Sequence, residues 1–378
     1  MALTALRLEV DSGTFARWSK ALTGLSRSFS IPVELVGTIP GLSAPPSSIQ
    51  FSGLELLRWV GQACTRPHIH DDPERLFALL RYATRIRSKG GNPVLHEELR
   101  ELDSHKKKVL SDELGCGFSF LVANRLLNAR HFLDLKEAIG RYMVRTNAPK
   151  SRQPDYIARD GARTKLIVLE AKGTQSRYYS RRQIQSGCGQ VSTVKIAKLP
   201  KSTKMLRVVV ATGLQREDQR YHSRILVGDP EERKSSFDYE LQMPAESLIE
   251  RSNLARLSYL VGDIYLGSLV DPLIQAPEGA PVPLVRRQIG DREFDGSILE
   301  IVYGDSRCGL FLGLEERVRA SIGKLAGLAH FPESPAIGME FDRKSTGRSA
   351  HDVGEDGLAI EVWSQGPLAD KDFEEQKE

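Results

Sequence analysis

The sequence predicts an α/β protein: a mixed sheet flanked by helices, preceded by a smaller α/β region and followed by an α+β region. Three observations carry this. Residues 165–172 form an apolar strand whose side chains alternate faces, with Leu166, Val168, Glu170 and Lys172 on one side and Ile167, Leu169 and Ala171 on the other. Residues 181–199 have helical spacing, with Ile184, Cys188, Val191 and Val194 inward and Pro200 as the stop. Residues 205–212 are a β-branched run of the kind buried in a parallel sheet, so strand, helix and strand form a βαβ unit.

Taken in order, residues 1–90 read as a small α/β domain with a helical linker. Residues 6–10 and 33–36 are β-like, and 14–25 is amphipathic after Asp11-Ser12-Gly13. His68-Ile69-His70-Asp71-Asp72 has metal-friendly residue types, but Asp72-Pro73 is also an ordinary helix opening. Residues 91–270 form the core. In it, Ser111 is read as a helix cap, with Asp112 and Glu113 in the first turn, where the dipole favours carboxylates. Leu114, Phe118, Leu121, Val122 and Leu126 make its apolar stripe. Residues 132–144 are read as a helix and an edge strand, and 224–229 as another edge strand. The proline-rich 271–283 is a connector to a β-rich domain over 284–366, with a mobile loop at 343–356, and 367–378 is a disordered acidic tail.

Composition narrows the function. The chain has 378 residues, 27% of them charged, and no apolar run of the roughly 18 residues that a transmembrane helix requires. Arg7 and Glu9 interrupt the apolar block a signal peptide would need, and the four cysteines are scattered, so a cytoplasmic protein without a disulfide framework is expected. The net charge of +4 conceals an asymmetry: residues 141–207 hold sixteen basic and three acidic residues, +13, leaving −9 on the remainder. Such a segment suits a polyanion, through counterion release, or is a solvated basic face.

Two of those three acids converge on a candidate site. Gln153-Pro154-Asp155-Tyr156-Ile157 is a strand candidate separated from the 165–172 strand by Asp160-Gly161. A two-residue turn there would leave Asp155 four residues short of Glu170. One cation between them requires a longer loop centred near Ala162 and Arg163, or a bulge. With Lys172 on the same face as Glu170, the three groups make a place for a hard divalent cation and a polarised water; an ordinary ion pair at a strand end is the competing reading.

Pro154-Asp155 followed by Glu170-Ala171-Lys172 resembles the signature of the PD-(D/E)xK, or restriction-endonuclease-like, nuclease superfamily, over roughly residues 111–213. The resemblance implies a restriction-endonuclease-like core and a metal-dependent endonuclease acting on nucleic acid, DNA by expectation; the flanking N- and C-terminal regions suggest a setting in restriction or antiviral defence. The resemblance also implies Mg²⁺ or Mn²⁺ held by Asp155, Glu170 and the Ala171 carbonyl, with Lys172 catalytic and Glu113 lent by the first core helix. A glutamine of the following helix would touch the metal-bound water or the scissile phosphate, Gln190 by preference and Gln183 otherwise. Arg177, Tyr178, Arg181, Arg182 and Gln183 would meet the nucleic acid, through charge and stacking. A protein partner or a second copy is expected at the N- or C-terminal region. The alternative is a scaffold or nucleic-acid-binding subunit that keeps the fold without turnover.

Overall fold

The structure is a computed structural model that describes residues 5–37, 46–64, 82–147, 152–176, 179–230, 237–272, 284–327 and 348–366. The candidate metal residues at 68–72, the helix after Pro73, most of the 271–283 connector and the acidic tail lie outside them. The protein is mixed α/β, and among the described residues no helix is long and apolar enough to cross a membrane.

A seven-stranded mixed sheet holds the core, in the order Ser48–Ser52, Ser28–Val36, Arg224–Gly228, Lys204–Gly213, Lys165–Thr174, Tyr156–Asp160, Ala129–Asp134. Lys165–Thr174 and Lys204–Gly213 run parallel, as a βαβ unit demands, with helix Tyr179–Val191 between them in the chain. The two-residue alternation sorts the sheet's faces. Ile167, Leu169 and Ala171 join Leu114, Phe118 and Leu121 of helix Ser104–Leu127 in one apolar cluster. Leu166 and Val168 join Ile184 and Val191 of helix Tyr179–Val191 in another.

The hairpin register is the one that brings the carboxylates together. Tyr156 pairs with Leu169 and Arg159 with Leu166, so one further residue sets Asp155 opposite Glu170. Asp160 closes the loop by accepting from Thr164 N at 2.8 Å and Thr164 Oγ1 at 2.9 Å, while Arg163 takes a positive φ of 60°. Those contacts shape a loop centred between Ala162 and Arg163 instead of a two-residue turn.

A second sheet of six strands contains Arg292–Tyr303, Ser306–Glu315, Leu358–Gln365 and Arg348–Val353 in sequence, so residues 348–353 of the expected loop are a strand. Its edge is completed by Ala5–Glu9, which pairs in parallel with Ile298–Val302, and by Val285–Ile289. The first residues of the chain therefore do not make a domain of their own: one strand belongs to the C-terminal sheet, and Ser28–Val36 belongs to the core sheet. For the same reason Arg224–Gly228 is internal, covered by Ser28–Val36, and is not an edge.

Three helix boundaries also differ from the sequence reading. The first core helix begins at Ser104, capped by Asp103, whose Oδ1 accepts from Lys106 N at 2.9 Å. Asp112 and Glu113 are thus well inside it, and no dipole argument applies to them. Phe132 and Leu133 lie in strand Ala129–Asp134 and not in a helix; helix Leu135–Gly140 starts after them because Asp134 caps it through Glu137 N at 2.9 Å, and Val144 opens a short edge strand, Val144–Thr146. Helix Tyr179–Val191 ends early: the Ser192 and Thr193 hydroxyls donate to the Gly189 and Gln190 carbonyls, and Val194–Ile196 becomes a short strand beside Phe237–Leu241.

Candidate functional site

The site lies where strand Lys165–Thr174 runs beyond the start of strand Tyr156–Asp160. Asp155 sits in a bend before that strand. Its Oδ2 accepts from Ala171 N at 3.0 Å and its Oδ1 from Lys136 Nζ at 2.9 Å. Since the N–H and C=O of a strand residue leave the same edge, the Ala171 carbonyl is directed toward the Asp155 side as well. Lys136 is carried by helix Leu135–Gly140, whose first amide, Leu135 N, donates to the Asp155 carbonyl at 2.9 Å.

Glu170 is fully buried, and Lys172 Nζ donates to its Oε1. Its Oε2 is buried with no hydrogen-bond partner among the described residues. Burial pushes the Glu170 carboxyl up to about 7, and Asp155 adds to the rise while Lys172 and Lys136 oppose it. Burial works against the Lys136 ammonium, yet Asp155, the hydrogen bond to it, and Glu170 together hold it above its ordinary value. Two carboxylates and two ammonium groups thus balance at one point.

Glycines let the flanking helices close in. A Cβ on Gly187 would lie 3.2 Å from Glu170 Cγ and 2.5 Å from Val209 Cγ1, so helix Tyr179–Val191 rests directly on the buried glutamate. On the opposite face, a Cβ on Gly173 would fall 1.6 Å from the Ser111 carbonyl oxygen, and one on Gly115 2.7 Å from Gly173 Cα. Gly173→Ala is therefore expected to force helix Ser104–Leu127 off the strand. The expected cost is on the order of 3 kcal/mol, the upper range for overpacking, read as a lowered urea midpoint.

This close approach decides which helix carboxylate belongs to the site. Glu113, the expected contributor, forms no three-ligand group with Asp155 and Glu170 among the described residues, and its backbone carbonyl accepts from the Cys64 thiol at 3.9 Å. The carboxylate at the mouth is Asp112, pushed up by partial desolvation, with Asp155 adding to the effect and Lys108 and Lys172 opposing it. Ser111, Gly115 and Ser119, four residues apart, mark the helix side that meets the strand, and that spacing was the available signal. Lys136 had no comparable local sign.

Both glutamines of helix Tyr179–Val191 face the site region but hold its backbone. Gln190 Nε2 donates to the Gln153 carbonyl at 3.2 Å, two residues before Asp155, and Gln183 Nε2 donates to the Gly173 carbonyl at 3.1 Å. Arg181 and Arg182 are exposed, Arg181 lying 3.6 Å from Glu34, whereas Arg177 and Tyr178 fall outside the described residues. The basic segment is less bare than its count suggests. Arg159 is buried against Glu246, Arg207 is buried on the Val194 carbonyl, and Arg163 and Lys198 pair with Glu250 and Glu240.

Among the described residues no three His, Cys, Asp or Glu side chains group as metal ligands. A cation here would rest on Asp155, Glu170 and the Ala171 carbonyl, completed by water. Such an oxygen-only set with retained waters suits Mg²⁺ or Mn²⁺. The bare, buried Oε2 of Glu170, in a carboxyl that its surroundings disfavour as an anion, fits a positive guest. No family model matches the chain, and no curated protein or solved structure matches it either.

Proposed function

We propose that the chain is a divalent-metal-dependent nuclease with a restriction-endonuclease-like core, hydrolysing phosphodiester bonds of nucleic acid, DNA in the first instance. The observation that carries this reading is Glu170: a buried carboxylate with one oxygen unpartnered among the described residues, opposite Asp155 in the hairpin register and tied to Lys172. A buried charge of this kind is costly, and a structural ion pair would satisfy both of its oxygens.

Bound Mg²⁺ would supply positive charge for the phosphate and acidify a coordinated water. The protein's own residues do the rest. Asp155 and Glu170 would hold the cation, with Ala171 N fixing one Asp155 oxygen and Lys136 donating to the other. Lys172, anchored on Glu170 as an ammonium, orients the attacking water and stabilises the negative charge that develops as it attacks. Gln190 and Gln183 keep the two strand ends in register by holding their carbonyls. Exposed Arg181 and Arg182 lie at the start of the neighbouring helix, where they can hold the phosphate backbone.

One observation favours a second reading, a nucleic-acid-binding subunit without turnover: Lys136 and Lys172 already neutralise both carboxylates, and among the described residues no third acid completes a metal-ligating group with them. Labelled DNA and RNA incubated with the purified protein in Mg²⁺, in Mn²⁺ and in chelator separate the two. The nuclease reading expects metal-dependent cleavage that falls at least a hundredfold in Lys172→Ala while binding persists. Salt-sensitive binding with no cleavage under any condition selects the scaffold.

A further inference from the structure

A cleft opens on the sheet face toward which Glu170 points, beyond it at the C-terminal end of strand Lys204–Gly213. It has a volume of about 270 Å³ and is bounded by Gly213, Arg220, Tyr221, His222 and Arg224. These belong to the link between strands Lys204–Gly213 and Arg224–Gly228. Gly213 continues the face on which Val209 and Ala211 pack beside Leu166 and Val168, and a Cβ on it would lie 3.8 Å from Ser180 Cβ, at the start of helix Tyr179–Val191. Val209 is level with Glu170, and Gly213 comes four residues later. At ~3.3 Å per residue the cleft therefore begins about 13 Å beyond the carboxylates, roughly four base steps at the ~3.4 Å rise of a duplex strand.

We propose that this cleft seats the flank of the nucleic-acid strand whose phosphodiester reaches Glu170 and Lys172, an inference that rests on the nuclease reading above. Three features fit this occupant. Tyr221 is 45% exposed at the rim and offers a ring on which an unstacked base can lie. Arg220 and His222, both exposed, and Arg224 bring positive charge to the same opening. Arg224 Nε is buried without a hydrogen-bond partner among the described residues, a donor at the wall. Glu34 takes up part of the charge of Arg181 and Arg224, 3.6 Å from each, so Arg220 on the open side carries more of the phosphate affinity. Helix Tyr179–Val191 covers the sheet face between the cleft and Glu170, with Ser180 beside Gly213 and Gly187 over Glu170, so a strand joining the two runs around the outside of that helix, past exposed Arg181 and Arg182 on its first turn.

The test measures binding apart from cleavage: fluorescence anisotropy of a labelled single-stranded and a labelled duplex oligonucleotide with the full chain in chelator. Arg220→Ala and Tyr221→Ala alter exposed side chains. Lys201→Ala, exposed near the opposite end of strand Lys204–Gly213, removes one charge far from the cleft. The expected result is at least tenfold weaker binding in the first two variants and less than twofold in the third. Arg220→Ala should also lower the slope of log affinity against log salt by about one. Equal weakening in all three, unchanged binding in the cleft variants, or no binding by the unaltered chain overturns the proposal. Loss of binding in the cleft variants with no cleavage by the unaltered chain keeps the cleft and removes the hydrolase; metal-dependent cleavage with indifferent cleft variants does the reverse.

Discussion

Asp155→Asn is expected to reduce metal-dependent cleavage at least a hundredfold while leaving the fold intact. The asparagine keeps an oxygen that can accept from Ala171 N, now 3.0 Å from Asp155 Oδ2, so the backbone anchor survives. What is lost is the negative charge that a cation and Lys136 share. Removing a charged group that stabilises a phosphoryl-transfer transition state commonly costs factors of 10² or more. Single-turnover cleavage with the variant in excess over labelled substrate, set beside its thermal melt, reads both halves of the expectation. Undiminished cleavage by a folded variant would place the chemistry elsewhere.

The second large effect runs in the opposite direction for stability. Because the Glu170 carboxyl is pushed up from 4.5 to about 7, the folded chain still holds a proton that the unfolded chain has released between those values. Stability from this group is therefore lost as pH rises from about 4.5 to about 7, and the deficit is complete above that window. A rise of this size corresponds to roughly 3 kcal/mol. Glu170→Gln, neutral at every pH, should be more stable than the parent at pH 8 by up to that order, with little of the gain left at pH 5, while cleavage disappears. Thermal melts at the two pH values check the sign. Adding Mg²⁺ or Mn²⁺ at pH 8 should raise the parent's melting temperature and leave the variant's unmoved, since a cation relieves the same buried charge. A variant less stable than the parent at pH 8 would mean that the Lys172 pairing outweighs the cost of burial.

The sheet and its chemistry were legible in the sequence to different depths. Alternation placed Leu166, Val168 and Glu170 on one face because a strand keeps a two-residue period wherever no bulge interrupts it. The Asp155–Glu170 register could be set by the demand that two carboxylates meet, which moved the loop centre to Ala162 and Arg163, where the structure has it. Helix faces were harder. Glu113 and Asp112 are one residue apart, and the choice between them depends on the Gly115–Gly173 approach, a contact across 58 residues of chain. Lys136 was hidden for a related reason: it reaches Asp155 through a helix whose position is fixed by Asp134 and by the Asp155 backbone. The place of Arg224–Gly228 inside the sheet depends on Ser28–Val36, about 190 residues earlier, and such pairings leave no local mark.

The strand Ala5–Glu9, paired in parallel with Ile298–Val302, sets the order in which the molecule can be completed. A ribosome delivers those first residues long before their neighbour exists, so they wait without a β-partner while nearly three hundred more are synthesised. Ser28–Val36 waits in the same way for Arg224–Gly228. Neither sheet can close during most of translation, and the newborn chain carries open strand edges for that whole interval. Slow elongation over the last hundred residues should therefore affect soluble yield more than the same slowing near the start.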